Sequence, residues 1–300
     1  GGLIRMKNCN LGNDTQKEMI SRILVGLQTR GPEATGIAGI RFETGEREVV
    51  KAPMVASKFI TGQPYNDLFN EQWDAFLFHT RQATTGSETN NRNNHPVCSE
   101  NVTLVHNGMI ADAEVVAVMN EEGLVPLKST EVDTQLLVLL KEKYRNPGDL
   151  VKKVEGSYAF ACYDKRSGLL EVVKHTNPVA FCYLKELGAI LFASTEDAMS
   201  SAITKYRLEL GLFVVKEKTF DHIIEDVPNE SLTTWDWRKE KFTVKELEPK
   251  ERPSYAAAYA NSRITDFHNT DFRGSMGVSP TEAEWERRNW ERNAEVGMYM

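Results

Sequence analysis

The sequence of 300 residues has few cysteines, no basic excess and no long apolar run, and each absence narrows the possible functions. Its four cysteines, Cys9, Cys98, Cys162 and Cys182, form neither a CxxC pair nor a Cys/His spacing typical of zinc sites. We therefore expect no metal site and no cofactor. The formal net charge of −7 and the lack of a basic patch argue against nucleic-acid binding.

Neither a signal peptide nor an apolar span of membrane length is apparent, so we expect no membrane association and a cytoplasmic location. Hydrophobic residues make up 41% of the sequence, which is enough for a sizeable core. The length suits a sandwich of about 200–250 residues followed by an extension.

The hydrophobic pattern runs from strands to helices and back to strands, with mostly hairpin connections. Such an order favours antiparallel sheets covered by helices, an α+β layered sandwich. The first helix is predicted from Asp14 to Leu27, with Asn13 or Thr15 as its cap. Further helices are predicted at 54–59, 65–69, 111–122, 133–144, 147–154 and 196–206. Strands are predicted at 3–6, 37–42, 47–51, 75–78, 102–105, 157–163, 169–175, 179–184, 189–193, 212–216, 223–225, 231–236 and 241–244.

The character of the chain changes past Pro249, where the sequence becomes polar and patternless with scattered aromatic rings. We divide it into a domain at 1–248 and an irregular C-terminal extension at 249–300. The extension lacks the periodicity needed for its own core. We expect its aromatic side chains to bind a neighbouring subunit or a partner protein, and packing on its own domain is the alternative.

The most informative segment runs from Phe78 to Asp112. Two apolar runs in and beside it, Ala75–Phe78 and Val102–Val105, each end in polar residues, and an asparagine-rich loop joins them. Buried strands that end in such residues direct polar groups into a cleft. The asparagines of this region are Asn90, Asn91, Asn93, Asn94, Asn101 and Asn107.

Three residues of this segment suit recognition of a small anionic amide. Arg81 can hold a carboxylate through two parallel hydrogen bonds. The side-chain amide of Asn107 and the unhindered N–H of Gly108 form a credible pair of oxyanion donors. For the segment around Arg81 alone, or the segment around Asn107 and Gly108 alone, the alternative is a polar hairpin with a salt-bridged Arg81 and an Asn-Gly turn.

The motifs HTRQATTG at 79–86, NNHP at 93–96 and LVHNGMI at 104–110 resemble those of the class II glutamine amidotransferases. That family has HTRWATHG, NAHP and VVHNGII. Two flanking segments, TRGPEATGIAGI at 29–40 and STEVDTQLL at 129–137, are similar to its RGYDSAG and SETDTEVI. The resemblance covers about residues 1–200 in the family's order, with Gln82 and Thr85 departing from it.

The resemblance implies an N-terminal-nucleophile hydrolase fold, a four-layer α/β/β/α sandwich with antiparallel sheets. It implies L-glutamine as substrate, with Arg81 and Asp133 holding the α-carboxylate and the α-amine. Thr84 and His95 would line the pocket. Arg30 would support the nucleophile's strand, although a structural salt bridge from Arg30 to Glu33 is an equal alternative.

Gly1 stands where the family has its catalytic cysteine. Glycine has no side chain, so no acyl-enzyme can form on it, and we expect no glutaminase activity. Three explanations are open: a nucleophile replaced to trap a substrate complex, a naturally inactive descendant, or a cysteine that precedes Gly1.

Two hypotheses follow for the function. The first is a glutamine amidotransferase domain whose ancestral reaction releases ammonia from L-glutamine for a partner synthase. The alternative is a pseudoenzyme that serves as a structural or assembly subunit.

Overall fold

The computed structural model describes residues 1–184, 187–209 and 222–248. The strand predicted at 212–216 and the extension at 249–300 lie outside these residues. The predicted domain boundary after residue 248 therefore stays a prediction. In the described part of the chain, no helix combines the length and the apolar character that a membrane crossing requires.

Two antiparallel sheets form the centre of the domain. The first has seven strands in the order β11-β9-β10-β1-β4-β2-β3, and the second has six in the order β13-β12-β8-β7-β6-β5. The strands are β1 Gly2–Arg5, β2 Ala34–Ile40, β3 Arg47–Ala52, β4 Ala75–Arg81, β5 Val97–Cys98, β6 Val102–Met109, β7 Ser157–Asp164, β8 Leu169–Lys174, β9 Ala180–Leu184, β10 Ala189–Ala193, β11 His222–Asp226, β12 Ser231–Asp236 and β13 Lys241–Glu246.

Helices cover the outer face of each sheet, so the domain has four layers. Their bounds are α1 Asn13–Leu27, α2 Ala56–Phe59, α3 Gln63–Leu68, α4 Asp112–Glu122, α5 Thr134–Tyr144, α6 Pro147–Val151 and α7 Glu196–Glu209. One apolar cluster lies between the first sheet and helices α1, α2, α3 and α7, and another between the second sheet and α4, α5 and α6. A third fills the space between the sheets. The predicted α/β/β/α sandwich is confirmed.

The local sequence accounts for most of these elements. The strand β2 is buried along its whole length and, apart from Thr35, consists of apolar residues and glycine. Helix α1 buries Met19, Ile20, Ile23, Leu24 and Leu27, which recur at helical spacing on one face.

The predicted cap of α1 is wrong. Gly12 occupies the N-cap position in an extended conformation, and no side chain caps the helix. Asn13 instead donates its side-chain amide to Phe69 O at 2.9 Å and Glu71 O at 3.2 Å. Its amide is therefore used to hold the chain that precedes β4, a tertiary contact that the local pattern does not contain.

Strand pairing places the two informative motifs near one another. In the first sheet β4 lies between β1 and β2, and Gly2 pairs with Leu77. In the second sheet β6 pairs with β7 along its whole length, from Val102 to Met109. The ends of β4 and β6, one from each sheet, together with the start of β1, build the candidate site.

Candidate active site

Gly1, His79, His106 and Asn107 line one small cavity between the two sheets. Its volume is about 30 Å³, and the remaining walls are mostly apolar side chains of both sheets. The structure thus brings together the first residue and the Asn107 predicted from the sequence. It adds His79 and His106, which belong to the same motifs but were not singled out.

Gly1 is held in the first sheet by two hydrogen bonds to Phe78. Its nitrogen donates to Phe78 O at 2.8 Å, and its carbonyl accepts from Phe78 N at 2.8 Å. A Cβ on Gly1 would lie 2.7 Å from Phe78 Cε2 and 2.8 Å from Phe192 O. Because one of these neighbours is a backbone atom, a side chain at position 1 requires the strands to shift.

The Asn107–Gly108 pair has the features of an oxyanion site. Among the described residues Asn107 Nδ2 is buried and has no hydrogen-bond partner, so this donor is available to a ligand. Asn107 O accepts from Asn177 Nδ2 at 2.8 Å, which fixes the backbone. Gly108 has a φ of +145°, and a Cβ there would collide with Ser157 O. Only glycine fits this position.

Arg81 lies at the end of β4 and is buried. Its Nη1 donates to Asn94 Oδ1 at 3.0 Å, and its Nη2 donates to the carbonyls of Thr85 and Gly86. A guanidinium carries five N–H donors. Three are engaged in these contacts. Burial lowers the pKa of Arg81, while the nearby carboxylates of Asp133 and Glu33 oppose this effect.

Asp133 lies immediately before α5 and is also buried. Its Oδ2 accepts from Ile110 N at 2.8 Å, and its backbone N lies 3.4 Å from Thr85 Oγ1. Arg81 and Asp133, a basic and an acidic residue, are therefore both buried and both contact Thr85. This arrangement suits a zwitterion.

Hydrogen bonds within the asparagine-rich loop, and from the loop to Glu131 and Lys51, hold it in place. Asn94 Nδ2 donates to Glu88 O at 2.7 Å, and Asn93 Oδ1 accepts from Glu131 N at 2.8 Å. Lys51 Nζ donates to Asn94 O at 2.7 Å and Pro96 O at 2.9 Å. The loop thereby holds His95, whose bond to Pro96 is cis, against the site.

Three histidine rings lie at the site, and of these His95 and His106 are buried and His79 is half-buried. The rings of His79 and His95 are 4.3 Å apart, and those of His95 and His106 are 6.4 Å apart. Burial lowers the pKa of His79 and His95 well below 6.5, and their positive neighbours lower it further. Burial also lowers the pKa of His106, against the opposing field of Asp133. All three rings are therefore neutral at pH 7.

Two predicted residues lie apart from this group. Thr84 is exposed on the loop after β4, while its neighbour Thr85 makes the contact with Asp133. Arg30 is exposed in a short 3-10 turn, Gln28–Arg30, and Glu33 accepts from Ala83 N. The roles predicted for Thr84 and Arg30 stay predictions. Within residues 1–184, 187–209 and 222–248, no cluster of His, Cys, Asp and Glu is arranged to hold a metal ion.

Known proteins resemble this chain in sequence. Residues 79–201 match the glutamine amidotransferase domain family. The glutamine–fructose-6-phosphate aminotransferase of Helicobacter pylori is 28% identical over 206 residues, which are 65% of this chain and 33% of that protein. The enzyme of the same name from Rhizobium meliloti is 31% identical over 161 residues, 50% of this chain and 25% of that protein.

Two solved structures share the fold. Glutamine phosphoribosylpyrophosphate amidotransferase from B. subtilis, complexed with ADP and GMP, superposes with a TM-score of 0.59 at 15% identity, covering 82% of this chain and 48% of that one. The allosteric regulatory enzyme of purine biosynthesis gives a TM-score of 0.59 at 14% identity, covering 95% of this chain and 69% of that one.

The fold is a sandwich of the N-terminal-nucleophile type, and the candidate site lies at the ends of its strands. Residues 79–201 match a glutamine amidotransferase domain, and the motifs and fold of the chain are similar to those of the class II glutamine amidotransferases. It spans a quarter to a third of the length of the two curated relatives described above.

Proposed function

We propose that this domain binds L-glutamine at the strand ends of β4 and β6 and does not hydrolyse it. In this proposal Arg81 and Asp133 hold the α-carboxylate and the α-amine. The side-chain amide of Asn107 and the N–H of Gly108 face the oxygen of the side-chain amide. The observation that carries the proposal is the buried Asn107 Nδ2, which has no partner among the described residues.

The missing step is nucleophilic attack. In the family a cysteine thiolate attacks the glutamine amide, and a neighbouring amine takes up the proton. Burial lowers the pKa of the amino group of Gly1, in a chain that begins there, from 8.0 to about 5. That amine would be neutral at pH 7 and able to accept a proton, but glycine has no thiol to give one.

Two N–H groups of Arg81 are left to donate to a ligand carboxylate. Asn94, Thr85 and Gly86 take up three of its N–H groups. The other two belong to Nε and Nη1, one hydrogen on each. These do not form a parallel pair, so a bidentate grip requires the carbonyls of Thr85 and Gly86 to release Nη2. We expect glutamine binding to be accompanied by movement of this short segment.

The second candidate function is a pseudoenzyme that serves as a structural or assembly subunit. The crowding at Gly1 favours it, because the strands close on a position where the family needs room for a side chain. The ancestral alternative, which delivers ammonia to a partner synthase, requires a cysteine at this place.

Calorimetric titration with glutamine and an ammonia-release assay test the proposal together. We expect glutamine to bind at millimolar concentration or below and ammonia release to stay at background. Arg81→Ala should abolish binding, whereas the control Arg41→Ala, which removes a half-exposed arginine paired with Glu46 and Glu71, should not.

Two outcomes would contradict this proposal. Turnover comparable to that of a Gly1→Cys variant would show that Gly1 does not stand at the nucleophile position. A complete lack of binding heat in the unaltered chain would show that the pocket is not functional and would favour the assembly subunit.

A further inference from the structure

One hydroxyl lies at the meeting point of three motifs. Thr134, the first residue of α5, is completely buried. Its Oγ1 lies 2.8 Å from His95 Nε2, 3.1 Å from His106 Nδ1 and 3.4 Å from Asp133 Oδ1. His95 belongs to the asparagine-rich loop, and His106 belongs to β6.

The number of hydrogens restricts how these contacts are made. A threonine hydroxyl has one hydrogen and two lone pairs, and an ionised carboxylate can only accept. All three contacts are hydrogen bonds at once only if the hydroxyl donates to Asp133. Its two lone pairs then accept from His95 Nε2–H and His106 Nδ1–H. Because burial keeps both rings neutral at pH 7, each ring carries a single N–H.

Each partner of Thr134 is next to a residue of the proposed glutamine site. His95 follows Asn94, whose Oδ1 accepts from Arg81 Nη1 at 3.0 Å. His106 precedes Asn107 and Gly108. Fixing the two rings therefore fixes the backbone on both sides of the site.

We propose that Thr134 is a positioning residue: it fixes His95 in the Nε2–H tautomer and His106 in the Nδ1–H tautomer, and so holds Asn107, Gly108 and Asp133 in place. The effect on glutamine affinity rests on the function proposed above. The tautomers and the backbone positions do not depend on it.

Three variants separate the hydroxyl from the rest of the side chain. Thr134→Val keeps the shape and removes the hydroxyl, and Thr134→Ser keeps the hydroxyl. Thr134→Ala removes the hydroxyl without a second methyl beside the rings, in case the valine variant fails to fold. The matched control is Thr103→Val, because Thr103 is also completely buried and its Oγ1 accepts a hydrogen bond from Arg47 Nη1 at 3.0 Å, away from the histidine rings.

Nitrogen-15 NMR of the histidine rings distinguishes the two tautomers directly, and the backbone amide signals of Asn107 and Gly108 report their position. In the unaltered protein and in Thr134→Ser we expect the stated tautomers. In Thr134→Val or Thr134→Ala we expect His106 and His95 to become tautomer mixtures and the two amide signals to shift. Thr103→Val should leave all of these signals unchanged.

Glutamine affinity supplies the second measurement. Loss of the hydroxyl should weaken binding about tenfold, as expected for one buried hydrogen-bonding group. Thr134→Ser and Thr103→Val should stay within about twofold.

Unchanged tautomers in both hydroxyl-free variants would overturn the proposal, whatever happens to glutamine. Altered tautomers with unshifted amide signals of Asn107 and Gly108 would overturn the statement that Thr134 holds these two residues in place. If the unaltered chain binds no glutamine, the proposed function fails, and the NMR measurements alone still decide the role of Thr134.

Discussion

Lys141 Nζ lies 2.6 Å from Glu171 Oε2, and both side chains are buried between α5 and the second sheet. Asp164 Oδ2 is 3.7 Å from the same ammonium, and Arg145 O accepts a hydrogen bond from it. Burial raises the pKa of Glu171, although Lys141 opposes this effect. The ammonium is therefore the main compensation for a carboxylate that water does not reach.

We predict that Lys141→Met destabilises the domain by about 3–5 kcal/mol, because it leaves the buried carboxylate of Glu171 uncompensated. Urea unfolding measures this change. Lys143→Met is the matched control: it removes an ion pair of Glu122 with a half-exposed lysine and should cost about 1 kcal/mol or less. A loss below about 1 kcal/mol in Lys141→Met would contradict the prediction.

Stability should fall with decreasing pH because folding lowers the pKa of three histidines. In the unfolded chain His79, His95 and His106 bind a proton near pH 6.5, but burial lowers their pKa in the folded domain. Their contribution is fully present above about pH 6.5 and is lost as the pH falls towards their folded pKa values. The slope reaches at most about 1.4 kcal/mol per pH unit for each ring, or about 4 for all three, at pH values below about 6.5 and above the folded pKa values.

Urea unfolding between about pH 7.5 and about pH 5.5 measures that slope. His79→Gln removes one titrating ring and should reduce it by about one third. A slope that is the same in this variant would show that His79 titrates alike in the folded and unfolded states.

Gly108→Ala should disrupt the site. The φ of +145° is unfavourable for alanine, and the new Cβ would collide with Ser157 O. We expect a loss of at least about 2–3 kcal/mol in unfolding free energy. The control is Gly123→Ala, which has a φ of +62° but no atom within 4 Å of its Cβ, and should cost about 1 kcal/mol. Equal losses in the two variants would show that the strands around Gly108 adjust.

The extension at 249–300 lies outside the described residues, and its role is predicted from the sequence alone. Each large ring left in water forgoes burial worth about 1.5–3 kcal/mol. Aromatic and arginine side chains are common anchors of protein interfaces. The rings are Tyr255, Tyr259, Phe267, Phe272, Trp285, Trp290 and Tyr299.

Deletion of residues 254–300 should therefore reduce the number of chains in the assembly, as calculated from its mass in light scattering. An unchanged number of chains together with lower stability would instead indicate that the extension packs on its own domain.

Much of the fold was predictable because its signals are local. The helix α1 and the hairpin of β2 and β3 follow from the periodicity of their own residues and from Thr44-Gly45. The short strand β5 was not predicted, because two residues carry no periodicity. The motifs also pointed to Arg81, Asn107, Gly108 and Asp133 as members of one site.

The sequence by itself determined the order of strands and helices, the resemblance to the glutamine amidotransferases and the glycine at position 1, since each is visible in consecutive residues. Only the tertiary structure decided which atoms meet. Gly1 bonds to Phe78 across 77 residues, and Thr134 reaches His95 across 39. Such contacts depend on strand register and helix placement, which are fixed by packing over the whole domain rather than by any local pattern. For the same reason the buried Lys141–Glu171 pair and the crowding at Gly1 became visible only in the folded chain.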